Sequence, residues 1–286
     1  MGDLLIASLA DGLLLGFVYG IAAMGLSLIW GVMDVINLAH GPVIALGMLG
    51  IYFASTGLGL NPYLALILVA MGGLLLGILI YWGAVHRVID APHLSTLLAT
   101  FAVNMIIIGI GTAIFTTSPR NVDFSLGSFF LGPITIGWTR IAAAGLAALV
   151  TALLYLFLHR TRPGKAIRAV TDNRAAAELM GIPTSWILAL SFGLGTLLAA
   201  FSGGLIATFF PFTILAGGSY ELKSFVICVL GGLGNPLGAL IGGLLLGALE
   251  GIIPAFIETS WVPVLEFALF VLILLVRPQG LLGSRS

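Results

Sequence analysis

Long apolar runs separated by short polar stretches leave this chain few ways to fold. They cover about 4–30, 41–56, 62–85, 94–116, 140–158, 186–210, 222–250 and 262–276. A helix crosses a hydrocarbon core in roughly 20 apolar residues. Inside lipid every backbone polar group needs an internal partner, which a helix supplies. Charged residues make up 8% of the chain, against roughly 25% in soluble domains. The fold expected is all-α, a polytopic helical membrane protein of eight or nine spans, some broken by Gly and Pro. Residues 1–286 read as one transmembrane domain.

The count turns on the run at 222–250. Gly231, Gly232, Gly234 and Pro236 interrupt it, since glycine permits positive φ and proline removes a donor. Basic loops favour the cytoplasmic side. His86-Arg87, the stretch 159–174 and Arg277 fall on one side only if 222–250 makes two spans, which favours nine with the N-terminus outside. The first run is too long for a signal-peptide core and has no basic flank, so it reads as a retained span. Gly12, Gly16 and Gly20 stand four apart, as do Gly243, Gly247 and Gly251. Small residues at that spacing let helices approach closely in lipid.

The stretch 159–185 is the one substantial hydrophilic island. Five of the eleven Lys and Arg residues lie between 160 and 174. Asp172 or Asn173 is placed to cap a helix. Arg174 to Met180 are mostly strong helix formers. Gly181 suits the left-handed position after a helix, and Pro183 stops it. A helix of about two turns is too short to persist alone. Ala176, Leu179 and Met180 share a face that a partner would bury. The plainer alternative is packing on the chain's own bundle.

Several polar residues sit within or beside the apolar runs. Asn37 and His40 are i,i+3 and share a helical face, and Gly41-Pro42 then interrupts regular helix. A hydrogen-bonded structural knot and a lining of the permeation path both fit. Thr96, Thr100 and Asn104 follow at i, i+4, i+8, to bond a neighbouring helix or to touch solute. Glu250 and Glu266 lie toward the outer ends of their helices on this topology. Acids inside a membrane are functional by default, while solvated loop charge is the bland reading. With Asp123, Glu221, Glu258, Arg120, Arg140 and Lys223 they give the external side a mixed field.

Other classes of function find little support. Net charge is zero, so no global field attracts nucleic acid. The single cysteine, Cys228, excludes an intrachain disulfide and a cysteine metal cage, and reads as a packed thiol. No phosphate-binding P-loop motif, no H-E-x-x-H and no G-x-S-x-G is present. An uphill transport cycle therefore takes its energy from a partner or an ion gradient. The second option, an ion-coupled secondary transporter using Glu250 or Glu266, is the alternative reading.

Five ordered stretches carry a resemblance. They are Tyr19 to Gly31, Ile36 to Gly41, Arg168 to Ile182, Val229 to Ala239 and Arg277 to Gly283. Together they resemble the LivH-type permeases of branched-chain amino acid ABC importers. The common form carries serine or a similar residue at Asn235 and often phenylalanine at Leu38. The resemblance implies two cytoplasmic ATP-binding subunits, a second related permease and a periplasmic solute-binding protein. It also implies a bacterial inner membrane and no cofactor in this chain, ATP being used by the partners. Arg168, Asn173, Ala176, Ala177, Glu178, Leu179, Met180 and Gly181 would couple to the ATPase. Asn37, His40 and Asn104 are the candidates for the substrate pathway.

Overall fold

The computed structural model describes residues 2–131, 134–277 and 279–283. It is a helical bundle. α1 (Gly2–Met33), α2 (His40–Thr56), α3 (Pro62–Ile80), α4 (His93–Phe115) and α5 (Trp138–Arg160) come first. Two short helices follow, α6 (Arg162–Asp172) and α7 (Arg174–Leu179). The bundle is completed by α8 (Thr184–Ala207), α9 (Gly217–Gly231), α10 (Pro236–Ile252) and α11 (Val262–Val276). A π turn over Tyr81–Val85 extends α3. A small ribbon, β1 (Ser128–Leu131) antiparallel to β2 (Ile134–Gly137), lies between α4 and α5. Among the described residues, eight helical segments are long and apolar enough to cross a membrane. α2, at 17 residues, reaches about 26 Å, short of a roughly 30 Å core.

The interrupted run divides as its glycines suggest. α9 closes at Gly231, and Gly232 and Gly234 take φ of 108° and 79°, which a side chain would resist. Asn235 caps α10, its Oδ1 accepting from Leu237 N and Gly238 N at 3.1 Å each, with Pro236 in the first turn.

α1 and α8 form the buried centre. The glycine stripes of α1 and α10 face each other. A Cβ on Gly12 would strike the carbonyl of Gly247, and one on Gly16 would lie 2.7 Å from that of Gly243. The contacts run in opposite chain directions, so the two helices are antiparallel. Cys228 is buried, its thiol donating to Ala23 O at 3.0 Å. The loop after α3, the α6–α7 pair and the chain beyond α11 share one end of the bundle, called here the α7 end.

Candidate functional site

The chain between α1 and α2 is non-helical at depth. Asp34, at φ 54°, ends α1. His40 then opens α2 with its Nε2 2.9 Å from Ala22 O. Ala22 lies eleven residues back along α1, about 17 Å from its end. Residues 34–39 therefore turn back into the bundle. Gly41 and Pro42, expected to break helix, instead sit in the first turn of α2. Proline there forfeits a hydrogen bond that no helix makes. The break lies just before them.

Exposed backbone inside a membrane protein must be matched from the side, and α4 does this. Thr100 Oγ1 accepts from Leu38 N at 3.3 Å and donates to Ile36 O at 2.9 Å. Asn104 Nδ2 donates to Leu38 O at 2.6 Å. Asn37 Oδ1 accepts from Ala39 N at 3.1 Å. Thr96 bonds only His93 O of its own helix. The structure thus brings Asn37, His40 and Asn104 to one place. Asn37 and His40 are buried, with Asn37 Nδ2 and His40 Nδ1 unpartnered among the described residues, whereas Asn104 is half-buried.

We expect Thr100→Val to lower the thermal unfolding midpoint in detergent markedly. It orphans an N–H and a C=O, at about 1–3 kcal/mol each. Thr96→Val should change little, because its hydroxyl contacts its own helix alone. Equal midpoints would show that the break does not depend on this hydroxyl.

Two short helices meet here. α9 has 15 residues and starts beside the start of α2. A Cβ on Gly41 would lie 2.6 Å from Gly217 O. The next residues of α9, Gly218 and Ser219, are exposed.

The island folds into two helices where one was expected. Thr161 Oγ1 accepts from Gly164 N at 3.1 Å and caps α6, which buries Gly164, Ile167 and Val170. Arg168 Nε donates to Leu158 O at 3.1 Å and so caps α5. Asn173 caps α7, its Oδ1 accepting from Ala176 N at 2.9 Å, and the helix ends before Gly181 at φ 80°. Ala177, expected on a partner, is buried against the chain itself. Ala176 is exposed, and Leu179 and Met180 are 89% and 83% exposed. Arg174 Nη1 pairs with Asp90 at 2.8 Å, and Thr184 Oγ1 donates to Glu178 at 2.5 Å. The helix is thus pinned on one side and bare on the other.

At the opposite end, solvated charge gives way to a partly buried cluster that the sequence did not reveal. Lys223 of α9 reaches Glu250 of α10 at 2.7 Å and Glu266 of α11 at 3.7 Å. Its ammonium also lies 5.0 Å from the Tyr19 ring of α1. Asp11 and Arg140 pair beside it. A lysine within an apolar run was the available signal. Its partners lie on other helices, and spacing does not show them.

The chain matches the family described as branched-chain amino acid transport system, permease component, over residues 8–274. LivH, the permease protein of the high-affinity branched-chain amino acid transport system of Escherichia coli, is 31% identical over 297 residues, covering 96% of this chain and 94% of LivH. BraD, the corresponding permease protein of Pseudomonas aeruginosa, is 31% identical over 296 residues with the same coverage. The solved structure of PsaBC from Streptococcus pneumoniae in complex with Fab shares the fold, with a TM-score of 0.50 at 16% identity over 94% of this chain and 92% of that one.

Proposed function

The chain belongs to the family of permease components of branched-chain amino acid transport systems, and from that premise we propose that it is the membrane-spanning subunit of an ABC importer. Its solutes are branched-chain or related small amino acids. Two cytoplasmic ATP-binding subunits drive it, a second related permease pairs with it, and a periplasmic solute-binding protein delivers the solute. It lies in a bacterial inner membrane with the α7 end in the cytoplasm. ATP-driven closure of the ATPase pair moves α7, and the bundle alternates between outward and inward openings.

The single observation that carries this reading is α7 itself. Exposed Leu179 and Met180 stand on a helix fixed by Arg174–Asp90, by Glu178–Thr184 and by buried Ala177. A rigid base under bare apolar side chains suits a docking contact that transmits movement. Arg168, Asn173 and Gly181 support it by capping. The substrate pathway runs beside the break. Transporter sites tend to lie where discontinuous helices end near the midplane, and α2 and α9 begin against each other there. Asn104, the least buried of the three, contacts solute first. Asn37 and His40, with their unpartnered nitrogens, are uncovered when the break opens.

Replacing Leu179 and Met180 together by Asp should leave thermal stability unchanged, since both are exposed. The ATP-binding subunit should no longer co-purify, and ATP-driven uptake should fall at least tenfold. Wild-type recovery of the ATPase with unaltered uptake would place the docking contact elsewhere.

A further inference from the structure

A trench of about 580 Å³ opens on the side of the bundle between α2 and α3. α2 lines it through Val43, Gly47, Gly50 and Phe53, α3 through Val69 and Gly72, and α8 through Ala200 between them. From Val43 it follows α2 to its end at Thr56, about 20 Å, and continues to Leu58. Its lining is apolar throughout. It has room for a single extended hydrocarbon chain.

One mouth of the trench carries a cation. Arg120 lies over Tyr52 at 5.0 Å and over Phe53 at 5.5 Å from the ring centres. One of its five donors is spent on Phe115 O. It forms no ion pair among the described residues. Phe115 packs on Phe53, and Phe212 on Tyr52. Tyr52 is of the residue type enriched at headgroup level in membrane proteins. Arginine matches phosphate by its planar fork of donors.

We infer that this trench is a binding site for an anionic phospholipid of the leaflet at the end opposite α7. The phosphate lies on Arg120 and one acyl chain lies along α2. A partner's helix would fill the groove without using the cation, whereas a lipid uses both. The inference rests on the helical membrane fold and not on the transport reading.

Gly72 allows a clean test, because a Cβ there has nothing within 4 Å. The purified transporter complex is reconstituted in nanodiscs of equal phosphatidylglycerol and phosphatidylcholine, then released into detergent. Retained lipids are counted by native mass spectrometry. The wild type should retain phosphatidylglycerol at least fivefold over phosphatidylcholine. Gly72→Leu should remove about nine-tenths of it, and Arg120→Gln should abolish the preference. Equal retention of the two lipids by the wild type, or unchanged retention in both Gly72→Leu and Arg120→Gln, would overturn the site. So would a partner's side chains found filling the trench.

Discussion

Gly247→Leu is expected to abolish the folded protein, whereas Gly145→Leu leaves it intact. A Cβ at 247 would fall on the carbonyl of Gly12 and only 2.5 Å from the Cα of Gly16. Both obstacles are backbone, so no side chain can swing aside. Overpacking that neighbours can absorb costs about 1–3 kcal/mol. Here α1 and α10 must separate along the whole seam, and the close packing that holds helices together in lipid goes with it. The loss should exceed about 4–5 kcal/mol, the upper edge for single substitutions. At 145 a Cβ meets nothing within 4 Å. Size-exclusion profiles in mild detergent, followed by thermal melts, separate the two variants. A monodisperse Gly247→Leu protein melting with the wild type would show that the seam is not a backbone contact.

What could be read along the chain was local or periodic. Four-residue glycine spacing identifies a packing stripe because small residues serve one purpose in lipid. Which stripe meets which is a tertiary fact, and the α1–α10 pairing had to come from the structure. α7 was legible because Asn173, Gly181 and Pro183 signal both of its ends. α6 was not, because Thr161-Arg162-Pro163-Gly164 reads equally as a turn and as a capped helix start. The buried face of Ile167 and Val170 decides for helix. The break was misplaced for a related reason. Gly41-Pro42 has the composition of an interruption, but proline is well suited to a first helical turn. The real interruption at 34–39 depends on Thr100 and Asn104, more than sixty residues away. The stripe of Thr96, Thr100 and Asn104 pointed to a polar face without showing that two members serve another segment's backbone and the third its own.

On the pathway proposed beside the break, one polar stripe would have two duties. Thr100 and Asn104 stabilise the break while it is closed. Any movement of α4 that withdraws them exposes the backbone of Ile36 and Leu38 together with the unpartnered nitrogens of Asn37 and His40. The groups that hold the segment shut are therefore those that a polar solute would replace on opening. That links the local backbone defect to the pathway proposed beside it.

Lys223→Met should be among the most damaging single changes outside the glycine seam, and neutralising its acidic partners as well should undo most of the damage. In the wild type one ammonium serves two carboxylates contributed by different helices. Glu266 is 4% exposed, and with Val262 it makes up the buried residues of α11. Lys223 is therefore the clamp that joins α11 to α9 and α10. Removing it leaves two like charges close together with little water. Breaking a fully buried pair from one side costs about 3–5 kcal/mol, an upper bound here because Lys223 and Glu250 keep 18% and 24% of their side chains exposed. Glu266→Gln should be far milder, because Lys223 and Glu250 remain a matched pair. In the triple variant Lys223→Met, Glu250→Gln, Glu266→Gln, no charge is left uncompensated, and well-packed neutral groups often replace buried ion pairs at little loss. The informative result is the order of thermal midpoints: wild type and triple variant close together, Glu266→Gln slightly below, Lys223→Met far below. A triple variant as unstable as Lys223→Met would refute the clamp, since it would mean that the lysine stem and not its charge holds α11 in place.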